Sequence, residues 1–135
     1  MNLVVLFAWS FAAATVLPLA SEVPLALVIR ASGHWHVPVA VATVGNVLGA
    51  CTTYWLARAA TAAAPHASTR VATIAARLAA YGPPALLLSW VPLVGDVLVA
   101  LAGAAGVPFG TFAAWVTVGK LGRYVAVAWA IASQS

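Results

Sequence analysis

The chain has 135 residues, 64% of them hydrophobic and only 6% charged, with a formal net charge of +4. A soluble domain of this length cannot hide so much apolar surface, so most side chains must face lipid or one another, as in an integral membrane protein built as one compact domain. Six basic residues scattered along an apolar chain make no basic patch, which argues against nucleic acid as a partner, and a single cysteine, Cys51, excludes an intrachain disulfide and a cysteine-based metal site.

The apolar stretches run over 3–29, 37–57, 81–105 and 109–132, each long enough for the ~20 residues of a spanning helix. The first is interrupted by Pro18-Leu19-Ala20-Ser21-Glu22. Met1-Asn2-Leu3 lacks the basic start of a signal peptide, and Glu22 directly follows any small-residue cut site, so this segment is expected to stay in the fold. Inside a helix Pro18 removes a hydrogen bond and clashes with the preceding turn, at a cost of ~3 kcal/mol. Pro24 suits the first turn of a new helix. The pattern predicts two half-helices, 3–17 and 22–30, folded back as a hairpin, with Ser21 or Glu22 capping the second.

His34-Trp35-His36 offers two histidines without a carboxylate or thiolate, so it reads as an interfacial tryptophan with polar neighbours rather than a metal site. Pro38 would open the first full span. Within that span Gly45 and Gly49 make a flat face for close packing, either inside the chain or at a dimer seam, and Cys51 reads as a buried, inert thiol.

Residues 59–80 form a linker containing Pro65 and His66. Val71, Ile74, Ala75 and Leu78 fall on one helical face, opposite Arg70, Thr73 and Arg77. Such an amphipathic helix suits a membrane surface, and its arginines place it in the cytoplasm by the positive-inside rule.

The second half echoes the first. At an offset of 74 (92 − 18 = 74), Pro18-Leu19 falls on Pro92-Leu93 and Glu22 on Asp96, the only two acids in the chain. Thr43-Val44-Gly45 falls on Thr117-Val118-Gly119 and Trp55 on Trp129. The reading is an internal duplication: repeat 1 over 1–58, repeat 2 over 81–135. Pro83-Pro84 would start the second hairpin, the break at Pro92 and Gly95 would end its first arm, and Asp96 would cap its second; Pro108 would open the last span. A re-entrant hairpin plus one crossing reverses orientation. The expected fold is therefore all-α: an inverted repeat of a re-entrant helical hairpin plus a transmembrane helix, with a short amphipathic linker helix. Four complete spans, two kinked by proline, would give parallel repeats instead.

Lys120 and Arg123 sit near the centre of the last apolar stretch, so with Glu22 and Asp96 the chain carries two charges of each sign at membrane depth. Each costs ~2.5–3.5 kcal/mol if it faces lipid, and convergence on one polar site offsets much of this. Structural ion pairs are the plain alternative, but buried pairs rarely stabilise better than apolar packing. Two half-helix N-termini with Lys120 and Arg123 suit an anion, and a guanidinium grips phosphate bidentately. Asn46 stands at the position equivalent to Lys120, and Gly49 at that of Arg123. Lys120, Arg123 and Asn46 are thus assigned to an anionic headgroup, and Glu22 and Asp96 to proton or cation coupling. No cofactor, metal motif or catalytic set is expected, and the chain is not read as an enzyme.

The stretches FAAATVLPLASEVPL (11–25), VATVGNVLGACTTYWLAR (41–58), LSWVPLVGDVLVALAGAAGVPFGTF (88–112) and VGKLGRYVAVAW (118–129) resemble the DedA family, also called the SNARE-associated or VTT-domain family, and in particular its short, YqaA-like bacterial branch. The resemblance covers most of the chain in the family's order. It implies opposed re-entrant hairpins in a multi-pass protein of the bacterial inner membrane. The implied role is translocation of undecaprenyl phosphate or a phospholipid, driven by the proton-motive force. The family's essential acids would map to Glu22 and Asp96, and its essential arginine to Arg123. Longer members carry arginines around the second proline loop, where this chain has Trp90 and Gly95-Asp96 and instead offers Lys120 and Arg123. The expected function is a flippase-like lipid translocator; the alternatives are a proton-coupled small-ion transporter and a non-transporting membrane scaffold. Few full spans make a narrow path for a lipid, which favours a homodimer.

Overall fold

The computed structural model describes residues 2–15, 20–63, 73, 76, 80, 85, 87, 88, 91 and 94–134. Pro18 and Pro92, the expected loop breakers, lie outside the described residues, as do Pro83-Pro84, Trp90 and most of the expected amphipathic helix, including Arg70 and Arg77.

Five α-helices have described bounds, with no strand among the described residues: α1 (Leu3–Ala13), α2 (Glu22–Ser32), α3 (His36–Ala63), α4 (Val94–Ala105) and α5 (Phe109–Ala132); Thr73, Ala76 and Ala80 are helical as well. The all-α expectation holds. Asn2 starts α1 by accepting the Val5 N–H on its side-chain oxygen at 2.9 Å. The helix stops at Ala13, short of the expected residue 17. There the Ala14 N–H bonds the Phe11 carbonyl and the Thr15 hydroxyl donates to the Ala12 carbonyl, satisfying last-turn acceptors. Pro24 sits in the first turn of α2, where its missing N–H costs nothing. Gly33, at φ 69°, ends α2 in the left-handed conformation, and Gly106, at φ 71°, follows α4 in the same way.

Three boundary expectations are corrected. Ser21 stands at the N-cap position of α2 but makes no side-chain cap bond, because its hydroxyl is taken by Tyr124. Glu22 and Asp96 lie within the first turns of α2 and α4 rather than capping them. Finally, α3 continues to Ala63, through the first residues expected to be linker, since Ala59-Ala60-Thr61-Ala62-Ala63 is alanine-rich and favours helix.

Close packing sets the directions of the helices. Phe7 and Ser10 lie against Gly45, while Phe11 and Ala14 lie against Gly49, so α1 runs parallel to α3. A Cβ on Gly45 would come within 2.7 Å of the Phe7 carbonyl oxygen, and one on Gly49 would meet the Phe11 carbonyl oxygen. Of the two readings of this glycine face, the structure therefore has the intramolecular one. α2 returns along α1, with Leu25, Val28 and Ile29 in one cluster with Leu6, and the Trp9 indole donates to the Ala20 carbonyl at 3.2 Å. Each arm has 11 residues, about 16 Å of helix. α3 and α5 are antiparallel: Tyr54 stacks on Phe112 at 4.5 Å, and Asn46 meets Lys120 halfway along.

Two apolar cores result, one towards each end of the α3–α5 pair. The first joins Leu6, Leu25, Val28, Ile29, Val39 and Ala42 to Tyr124 and Ala128. The second joins Ala50 and Tyr54 to Val99, Ala102, Phe112 and Val116. Adding 74, the offset read from the sequence, to Leu25, Val28, Ala42, Ala50 and Tyr54 gives Val99, Ala102, Val116, Tyr124 and Ala128, and in each case the two residues lie in different cores. The outer surface is apolar, with Val4, Val23, Val97, Val118 and Trp129 all exposed. By length and hydropathy α3 is the one helix among the described residues suited to crossing a bilayer unaided; α5, 24 residues long, carries Lys120 and Arg123 within its apolar sequence.

Candidate functional site

A polar layer lies between the two cores. Three elements supply it: the start of α2, the middle of α3 and the middle of α5. α5 places Lys120 and Arg123 one turn apart, so both turn towards neighbouring helices rather than outward. Lys120 is only 1% exposed. Its ammonium donates to the Asn46 side-chain oxygen at 2.5 Å, and the Asn46 amide in turn donates to the Ser10 carbonyl at 2.9 Å. The interaction chain thus runs from α5 through α3 to α1. Asn46 and Lys120 are separated by 74 residues, the offset read from the sequence, and they touch each other.

Arg123 makes an ion pair with Glu22, the one salt bridge among the described residues. Its side chain is 12% exposed and that of Glu22 28%, which makes this pair the accessible edge of the polar layer. Immediately alongside, Ser21 and Tyr124 share a hydroxyl–hydroxyl bond of 2.5 Å, both groups buried. Two adjacent rungs therefore join α2 to α5, one neutral and buried, the other charged and partly open. The Arg123 guanidinium also lies 5.6 Å from the Tyr124 ring centroid, within cation–π range. Ser10 is fully buried beside the same tyrosine.

Asp96 sits half-buried in the first turn of α4. It makes no ion pair among the described residues, but its charge acts through space on Lys120 and on Tyr124. Of the residues named from the sequence, the structure brings Glu22, Arg123, Lys120 and Asn46 into direct pairwise contact, with Asp96 in electrostatic reach. Gly95 and Gly119 are buried in α4 and α5. Cys51, expected to be buried, is half-buried and close enough to Lys120 to feel its charge.

Sequence reasoning missed Tyr124 and Ser10 and gave Ser21 only a capping role. The available signal was Ser10 as the one hydroxyl within the α1 run LVVLFAWSFAA, and Tyr124 as a polar-tipped ring next to a charge. At the opposite end, the Tyr54 hydroxyl donates to the Val107 carbonyl and accepts from Arg58 at 2.9 Å, tying the end of α3 to the turn before α5. An apolar groove lined by Leu3, Val4, Val28 and Val37 opens where α1 begins, apart from the polar layer. Trp35 stacks on His36, and the His34 ring bonds the Ser32 carbonyl.

The sequence matches the VTT domain over residues 17–133, which takes in every charged residue of this layer. The chain belongs to the VTT-domain, or DedA, family. This VTT-domain chain is 42% identical over 129 residues to inner membrane protein YqaA of Escherichia coli (strain K12), covering 95% of the chain and 89% of that protein. The same figures hold for inner membrane protein YqaA of Shigella flexneri. An uncharacterized protein of Haemophilus influenzae is 36% identical over 134 residues, covering 93% of the chain and 85% of the relative. No solved structure matches this VTT-domain chain.

Proposed function

We propose that this chain translocates a lipid bearing a phosphate headgroup across the bacterial inner membrane, coupled to protons or another cation. The location follows its similarity to proteins named as inner membrane proteins. The observation that carries the reading is the polar layer: a guanidinium, an ammonium and an amide gathered between two apolar cores, with both carboxylates at or near them. Charges at membrane depth are costly and are kept mainly where an ion or polar substrate passes. Arg123, Lys120 and Asn46 are donors suited to a phosphate, and Glu22 and Asp96 are the groups that exchange protons.

The inverted-repeat arrangement belongs to the same proposal. Arms of about 16 Å reach only midway through a hydrocarbon core about 30 Å thick, which supports a hairpin that enters and leaves by one face. The antiparallel α3–α5 pair, the exchange of equivalent residues between the cores and the Asn46–Lys120 contact support a two-fold relation between the halves.

In proteoliposomes, Glu22→Gln or Asp96→Asn should abolish pH-dependent headgroup translocation while leaving the protein folded. Full activity in both variants would refute the coupling role. Native mass spectrometry of gently extracted protein should retain a phosphate lipid. The direct Glu22–Arg123 pair also fits a non-transporting scaffold. On that reading, replacing all four charges by packed apolar residues leaves the cellular phenotype intact.

A further inference from the structure

We propose that the Glu22 carboxylate occupies the place on Arg123 that the substrate's phosphate takes, so that a proton on Glu22 and an anion on Arg123 load together, one for one. This rests on the reading of Arg123 as a headgroup contact. Carboxylate and phosphate are both oxyanions gripped by the same donor fork of a guanidinium, and in the structure that fork is held by Glu22. An arriving anion meets this pair first. Lys120 is 1% exposed and already bonded to Asn46, whereas Glu22 and Arg123 form the open edge of the layer.

Charge balance then dictates the proton. Glu22 and Arg123 together are neutral. A singly charged phosphate that displaced an ionised Glu22 would leave two anions facing one cation, with repulsion between the two anions and a net charge in a low-dielectric layer. If Glu22 takes a proton from water as it releases Arg123, the products are a neutral carboxyl and a neutral phosphate–guanidinium pair. The O–H bond formed on Glu22 replaces one broken in hydronium or the buffer acid of the bulk water, one ion pair is exchanged for another, and the site stays uncharged at both ends of the step.

The neighbouring rung makes this a side-chain event. The Ser21–Tyr124 bond holds the start of α2 against α5 at the residues flanking the ion pair, so Glu22 can let go without the hairpin undocking. The groups to be weighed against Glu22 as the proton acceptor are Arg123, Tyr124 and Lys120 on α5, Asp96 on α4, and Cys51 on α3. Arg123 remains charged throughout. Asp96 is the one other side-chain carboxyl, so uptake that persists without the Glu22 carboxyl would point to it.

The test measures proton uptake with an indicator dye in weakly buffered detergent solution as the intact protein binds short-chain phosphatidylglycerol. The phosphodiester of that probe keeps a single charge across neutral and mildly acid pH. Wild-type protein should take up protons, approaching one per lipid bound, and binding should tighten by about tenfold for each pH unit of acidification within that window. Glu22→Gln should bind without uptake and without that pH dependence. Binding without uptake in wild type, or uptake that persists in Glu22→Gln, overturns the exchange. Absence of wild-type binding, or binding unchanged in Arg123→Gln, overturns instead the headgroup reading on which the exchange rests. Should Glu22→Gln not fold, the wild-type stoichiometry and the wild-type slope of binding with pH still decide. A parallel arm with dimethyl phosphate separates the sources of the anion: uptake with the lipid alone supports a headgroup, and uptake with dimethyl phosphate supports the same exchange with a soluble phosphate ester.

Discussion

Lys120 shows how a single charge is made tolerable between two apolar cores. Its ammonium is bonded by Asn46, whose own amide is spent on a backbone carbonyl of α1, so each member of the chain is held by the next. Removing Asn46 alone should therefore be worse than removing both partners. Asn46→Leu strands a buried ammonium and should cost about 3 kcal/mol or more, read as a large fall in the melting temperature in detergent. The double variant Asn46→Leu/Lys120→Met should recover most of that loss while losing translocation. The charge of Lys120 was legible in the sequence as an anomaly in an apolar stretch. Its choice of Asn46 over a carboxylate as direct partner was not, because it depends on which faces of α3 and α5 meet.

The helices themselves are set by short-range signals: Asn2 before α1, Pro24 and Pro38 in the first turns of α2 and α3, Pro108 before α5, and the left-handed glycines at 33 and 106. Where expected boundaries moved, a tertiary partner or a neighbouring propensity was responsible, as when Tyr124 takes the Ser21 hydroxyl from its capping role. Glycine has two meanings along this chain, and substitution should separate them. Gly49→Ala puts a methyl group against the Phe11 carbonyl oxygen and the Ala14 side chain, so it should destabilise the protein by pushing α1 off α3. Gly122 in α5 has open space around it, and Gly122→Ala should stabilise by about 0.5–1 kcal/mol through helix propensity alone. Thermal unfolding of the two variants in one detergent checks both signs.

At the scale of the molecule, the proposed membrane arrangement makes a prediction about sidedness. In a Cys51→Ala background, single cysteines replacing Asn2, Ser32 and Ser133 should react with an impermeant thiol reagent from one side. Cysteines replacing Thr61 and Ala105 should react from the other. If each proline-broken segment crossed fully, positions 2 and 32 would label from opposite sides. On the proposed arrangement the contact between Asn46 and Lys120 would lie at the centre, where a two-fold relation between the halves would bring equivalent residues together.

By itself the sequence determined the apolar class, the helical periodicity, the places where helices must break and the four ionisable residues that need an explanation at membrane depth. These follow from local chemistry: proline geometry, glycine freedom, and the cost of a charge near lipid. Only the tertiary structure decided that Arg123 goes to Glu22 and Lys120 to Asn46, that Ser21 and Tyr124 form a neutral rung beside the ion pair, and that the Gly45–Gly49 face is filled by α1. Pairing of residues about a hundred positions apart depends on helix directions and rotations. Those are set by the packing of side chains along whole helix faces, which no short stretch of sequence contains.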